Sequence, residues 1–170
     1  LTNGRGLGAR VVGALARWGG RGAAAVLSAS DGFTERMREL GYGDHIVTVG
    51  NGSDTRAFGP EGDTVELDAP YLLYAGTASE VHGATIFLDA AALLLADRPD
   101  LRIVFVGQGA DRDELELRAA ELGPGIVHFE GRLSPEEVAR WIRGAAATLA
   151  SVRPDGYHRA MATKMYASAV

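Results

Sequence analysis

The chain has 170 residues, enough for one domain with a full core or for one domain and part of another. Its hydrophobic content of 46% and mean hydropathy of +0.00 belong to an ordinary globular mix, and no apolar run approaches the about 18 residues that a membrane-spanning helix needs. A formal net charge of −5 argues against a general nucleic-acid binder, and the absence of cysteine excludes a disulfide framework and a thiolate metal site.

In chain order, Gly6 to Trp18 reads as a helix with Val11, Val12, Leu15 and Trp18 on one face, ended by Gly19, Gly20 and Gly22. A short strand is expected over Ala23 to Ser28. Asp31 can cap a helix reaching Leu40, with Phe33, Met37 and Leu40 inward, and His45 to Val49 follows as a strand. Asn51-Gly52 and Gly59-Pro60 mark a loop that continues to about Ala69. The alternation pauses there, which suggests a domain boundary, with residues 1–48 before it and 49–170 after it.

From Tyr71 the rhythm is regular. Strand 71–75 precedes a helix from about Ala84 to Ala96, and Arg102 to Val106 is the next strand. Asp111 and Glu114 have capping-box spacing for a helix ending near Leu122, and Ile126 to Phe129 is again a strand. Ser134, Pro135 and Glu137 make a second cap, with proline at the first helical position and Val138, Trp141 and Ile142 as the apolar face. Ala147 to Ser151 is a strand, a loop runs from Val152 to about Arg159, and a last helix lies near Met161 to Val170. Strand and helix alternating at this spacing predict βαβ units: an α/β fold, with a Rossmann-like parallel sheet and flanking helices.

In such a sheet all carboxyl ends share one rim, where ligands bind. Four segments meet there: Gly76 to Ser79, Gly107 to Gly109, Gly131 to Leu133, and Ser151 to Arg153. Glycine directly after a strand lets backbone N–H groups approach a ligand, although it equally eases the turn into the next helix. Gly107-Gln-Gly109 is no dinucleotide fingerprint, since Arg112 stands where the third glycine is required, and no P-loop pattern occurs. Lys164 is the only lysine in the chain. It stands near the start of the last helix, where a cation opposes the macrodipole unless an anion is bound. His82, Arg132 and Arg153 are further candidates for phosphate contact. His45, His128 and His158 show no ligand spacing, so no protein-held metal is expected.

Several motifs, in order and spacing, resemble the GT-B retaining glycosyltransferases of family 4. They are Asn51-Gly-Ser-Asp54 followed by Phe58; Tyr71-Leu-Leu-Tyr-Ala-Gly76 with Gly83; Arg98-Pro-Asp-Leu-Arg-Ile-Val-Phe-Val-Gly-Gln-Gly109; and Phe129-x-Gly131 with Glu136-Glu137. The resemblance covers nearly the whole chain. It implies the tail of an acceptor-binding domain over 1–48 and most of a donor-binding domain over 49–170. The activity implied is transfer of a sugar from a nucleoside diphosphate to a hydroxyl acceptor with retention, with no metal cofactor. Donor-contact positions implied are Gly76, Thr77, His82, Tyr157 and Lys164; the strand-end rim adds Gly107, Gly109, Arg132 and Leu133 as donor- or phosphate-binding candidates, and no catalytic residue is assigned.

The departures are specific. The family usually carries arginine and lysine where this chain has Thr77 and His82, and its E-x7-E glutamates would fall between about Arg159 and Ala167, yet no glutamate follows Glu137. Gly156-Tyr157 and Ala162-Thr-Lys164-x-Tyr166 are similar to an offshoot in which a P-T-K-x-Y-type helix start takes that place. Two other readings stay open: a degenerate donor domain kept as a binding or scaffold module, and a GT-B-shaped sugar-nucleotide epimerase, for which acidic groups on the rim are scarce. Leu1 in place of Met, and the further strand and helix with which the family continues, suggest a fragment cut at both ends that binds donor without turnover. The family implies a cytoplasmic enzyme whose acceptor is a carbohydrate, a lipid-linked or a small-molecule hydroxyl, and leaves open peripheral membrane contact of the longer protein.

Overall fold

A computed structural model describes residues 6–153 and 163–169. They divide into two compact units, 6–51 and 52–153 with 163–169.

The first unit runs α1 (Leu7–Gly22), β1 (Val26–Ser28), α2 (Asp31–Glu39) and β2 (Ile46–Thr48), with β1 and β2 paired in parallel and Val26 opposite Ile46. Helix α1 continues past Trp18 through Gly19 and Gly20, where glycine composition predicts an end. Partners distant in sequence hold this last turn. The Tyr42 ring occupies the space of a Gly20 β-carbon, His45 Nε2 lies 2.9 Å from the Gly20 carbonyl, and Arg21 Nε donates to Gly41 O at 2.8 Å. Ser30, not Asp31, caps α2: its Oγ accepts from Phe33 N–H, and Asp31 is the first helical residue, where a carboxylate favours the dipole. Phe33 and Leu40 are exposed, and so is the α1 face of Val11, Val12, Leu15 and Trp18. The buried member of α2 is Thr34, whose Oγ1 lies 2.8 Å from Thr48 Oγ1.

The second unit contains β3 (Tyr71–Ala75), α3 (Ile86–Leu94), β4 (Arg102–Val106), α4 (Arg112–Glu121), β5 (Val127–Glu130), α5 (Pro135–Gly144), β6 (Ala147–Thr148) and α6 (Lys164–Ser168). Its four strands pair in parallel in the order β5-β4-β3-β6. The predicted α/β class, with a Rossmann-like parallel sheet between helices, is the one observed. Strands β3 and β4 read as continuous apolar runs because helices cover both faces. Tyr74, Ile103 and Phe105 pack on one side with Leu88, Ala91, Leu115 and Ala119, and Tyr71, Leu73, Val104 and Val106 pack on the other with Trp141. The strap before β3 is fastened to α5. Val65 N–H donates to Arg140 O at 3.0 Å, Arg143 Nε donates to Asp63 O at 2.9 Å, and the Tyr71 hydroxyl lies 2.8 Å from both Val65 O and Trp141 O.

The two predicted capping boxes part company. At α5 both halves form: Ser134 Oγ accepts from Glu137 N–H, and Glu137 Oε2 accepts from Ser134 N–H at 2.8 Å. At α4 the Asp111 side chain caps nothing, because Asp111 has turn geometry (φ −91, ψ 6) and its own N–H is drawn to Ala78 O. Helix α3 starts at Ile86, two residues later than expected, because a turn closed by Ile86 N–H on Gly83 O precedes it.

Candidate functional site

Chain order steps outward from β3 to β4 to β5, and β6 then returns to the other edge of β3. The direction therefore reverses at β3, and in open parallel sheets a crevice opens at such a reversal, outside the carboxyl ends. A cavity of about 570 Å³ lies there. Gly76 and Thr77 line it after β3, Gly107 and Gln108 after β4, and Arg132 and Leu133 after β5; Val138 and Ile142 of α5 form its apolar wall. His82, Phe58, and Thr163 with Lys164 at the start of α6 complete the lining.

Glycines let these rim loops close on one another. Gly107 has φ +128, and a β-carbon there would stand 2.3 Å from Gly76 O. A β-carbon on Gly109 would stand 1.8 Å from Ala78 O, and Ala78 N–H donates to Gln108 O at 3.1 Å. Gly109 is not among the lining residues; the approach of two loops accounts for its glycine.

The cationic side comes from α6. The stem of Lys164 crosses Gly76 so closely that a β-carbon at Gly76 would lie 2.9 Å from Lys164 Cε. Lys164 Nζ donates to the Tyr74 hydroxyl at 2.9 Å and lies 4.2 Å from the centre of the Tyr74 ring. The same hydroxyl donates to Thr77 O at 2.8 Å. Burial brings the Lys164 amine down to about 8 and pushes the Tyr74 phenol up to about 12. His82 Nδ1 lies 2.9 Å from Ser79 Oγ, and burial, with Lys164 nearby, holds its pKa below the ordinary value. A neutral His82 accepting from Ser79 at Nδ1 carries its proton on Nε2, as a hydrogen-bond donor.

The cavity thus combines an ammonium, a guanidinium, hydroxyls and ring N–H with an apolar wall, and among the described residues no carboxylate lines it. That chemistry suits an anionic ligand with an apolar or sugar portion. Seven sequence-predicted positions come together here: Gly76, Thr77, His82, Gly107, Arg132, Leu133 and Lys164. Tyr157 lies outside the described residues. Arg153 is not a lining residue; its backbone N–H bonds Val81 O and its guanidinium lies 3.5 Å from Glu80. Gln108 and Thr163 were within reach of the sequence argument, since each adjoins a named residue. Phe58, named in the sequence only as part of a family motif, reaches the cavity from the aperiodic loop between β2 and β3, which no periodicity could place. Among the described residues, no group of three or more His, Cys, Asp or Glu is placed to hold a metal ion.

Comparison with known proteins gives a consistent picture. A curated relative, a D-inositol 3-phosphate glycosyltransferase from Nocardioides sp., is 38% identical over 101 residues, covering 50% of this chain and 22% of that protein. The chain thus spans about a fifth of the length of that relative. Among solved structures, Anabaena HepE in complex with UDP and glucose superposes with a TM-score of 0.70 at 19% identity, covering 93% of this chain and 45% of HepE. WaaG, a glycosyltransferase involved in lipopolysaccharide biosynthesis, superposes with a TM-score of 0.65 at 18% identity over 78% of this chain and 39% of WaaG. These superpositions show the α/β fold of GT-B glycosyltransferase structures. A family model for glycosyl transferases group 1 matches residues 69–169, well over half of the sequence, and the chain belongs to that family.

Proposed function

We propose that the cavity at the ends of β3, β4 and β5 is the donor site of a GT-B glycosyltransferase of the family 4 type, which moves a sugar from a nucleoside diphosphate to a hydroxyl acceptor with retention of configuration. The observation that carries this reading is the convergence of Lys164, the one lysine of the chain, on the Gly76–Thr77 turn at the point where strand order reverses. In this reading the diphosphate lies over Gly76 and Gly107, where the absence of side chains admits it to the backbone. Lys164 and Arg132 neutralise the charge that grows on the leaving group, and His82 donates a neutral hydrogen bond. Those cations, rather than a metal ion, then carry the electrostatic stabilisation. Val138, Ile142 and Phe58 offer the less polar part of the donor an apolar surface.

The acceptor would be bound by parts of the protein outside residues 52–170, so this chain by itself binds donor without turning it over. An epimerase reading fits less well, because among the described residues no acidic side chain lines the cavity to exchange protons with a sugar. A scaffold module that has lost its ligand is the reading that a binding experiment separates. Calorimetry of the chain with UDP-, GDP- and ADP-linked sugars is expected to give saturable binding of one base class. Lys164→Ala is expected to weaken it at least about tenfold, the loss of a charge-assisted contact to phosphate. Absence of binding to every member of the panel would favour the scaffold.

A further inference from the structure

The fold gives Tyr74 more than packing requires. Position 74 of β3 faces the α3/α4 side of the sheet, and the ring lies between Phe87 and Phe105, with centroids 5.7 and 5.5 Å away. The residue is 1% exposed and is not among those that line the cavity. Phenylalanine would fill this position equally well. The hydroxyl therefore needs another reason, and both of its bonds go to the site. It accepts from Lys164 Nζ and donates to the carbonyl of Thr77. The ring contributes as well, since the ammonium lies 4.2 Å from its centre.

We propose that Tyr74 is the positioning residue for Lys164, tying the ammonium from α6 to the Gly76–Thr77 turn across the strand end so that one cation and one loop present a single anion-binding surface. This inference rests on the donor-site reading for its ligand, but not for its geometry. The need for such a tie is physical. Lysine has four rotatable bonds, and a free ammonium at a cavity mouth loses rotamer freedom when it is fixed on a ligand. Helix α6 has five residues and no side-chain cap at its start, so it does little by itself to aim the lysine. A lysine already held by a hydroxyl and a ring loses less freedom on binding. The bond to Thr77 O fixes the adjoining backbone at the same time. Among the described residues, the charged and titratable groups around the pair are His82 from the loop after β3, Asp111 from the turn before α4, and Arg132 across the cavity.

A single lysine makes the test direct. In protein labelled with 13C-lysine the ε-carbon gives one side-chain signal, which belongs to Lys164 without further assignment. Tyr74→Phe keeps the ring and removes the hydroxyl. It is expected to lower the titration midpoint of that signal, since an acceptor of the ammonium is lost, and to weaken binding of UDP, used as the probe, by about five- to tenfold at neutral pH. A merely structural tyrosine would leave the lysine midpoint where it is, and an unchanged midpoint overturns the proposal. If UDP does not bind the unaltered chain, GDP and ADP take its place as probes; if none of the three binds, the donor-site reading fails, while the midpoint still decides the role of Tyr74. Should Tyr74→Phe fail to fold, the unaltered protein carries the test. A nuclear Overhauser contact between the ε-protons of Lys164 and the ring protons of Tyr74 is expected, and its absence would overturn the proposal.

Discussion

The carbonyl oxygen of Gly76 stands 2.3 Å from where a β-carbon of Gly107 would be, so the ends of β3 and β4 pass each other with no room for a side chain. Gly107 also has φ +128, in a region that L-residues rarely enter. Both effects oppose Gly107→Ala, and neither can be relieved by a flexible neighbour, because the atom in the way is backbone. The substitution is expected to cost more than about 3 kcal/mol in denaturant unfolding, or to prevent folding. Gly131→Ala at the end of β5 is the matched control. An added β-carbon there meets nothing within 4 Å, and the change is expected to stay within about 0.5 kcal/mol. Similar losses at the two positions would contradict the close approach of the rim loops.

Stability is expected to depend on pH through Lys164 in an unusual direction. Its amine is at about 8 in the fold and at 10.5 ordinarily, because burial penalises the charged form. Between those values the unfolded chain binds the extra proton, so folding becomes more favourable as pH rises across that window. Tyr71 and Tyr74 act oppositely. Burial pushes both up to about 12 from 10.0, so the unfolded chain ionises first and stability falls above about pH 10. Urea unfolding of the chain and of Lys164→Met, followed from about pH 7 to 11, checks this. The rise belongs to the lysine and is expected to vanish in the variant, while the fall at the alkaline end persists. A variant that keeps the rise would remove Lys164 as its cause.

The two candidate caps of the second unit make a paired prediction. Ser134→Ala removes a side-chain acceptor from Glu137 N–H and disturbs the reciprocal bond, and is expected to cost about 1 kcal/mol. Asp111→Ala removes a side chain that caps nothing and is expected to cost less than about 0.5 kcal/mol. Thermal unfolding of both variants decides it, and equal losses would show that Asp111 caps α4 in solution.

Tyr71 ties the strap before β3 to α5. Its hydroxyl is within 2.8 Å of two carbonyls, Val65 O and Trp141 O, and its ring meets Trp141 edge-on at 5.5 Å. Tyr71→Phe keeps the ring contact and leaves a buried carbonyl without its donor, at an expected cost of about 1–2 kcal/mol. The loss is expected to show locally as well. The Val65 amide, which donates to Arg140 O, should exchange faster with solvent while the amides of β4 keep their protection. Uniform acceleration across both would mean that the strap is not separately fastened.

The sequence by itself determined what depends on near neighbours along the chain. The apolar runs of β3 and β4, their alternation with helical stretches, and the Ser134-Pro135-Glu137 cap are written in residues a few positions apart, and they fixed the parallel α/β class. The glycines after the strands marked the rim. The local signals misled where a distant partner outweighed them: α1 runs through Gly19 and Gly20 because Tyr42, His45 and Arg21 hold its last turn, and Asp111 does not cap because its backbone is drawn to Ala78. Only the tertiary structure decided the strand order β5-β4-β3-β6, which puts the reversal at β3 and so selects one crevice along the rim. It also decided that Lys164 meets Tyr74, 90 residues earlier in the chain, and that Phe58 reaches the same cavity. No periodicity encodes such a meeting. It follows from the packing of helices on a common sheet, which sets the distance between residues that the chain itself keeps far apart.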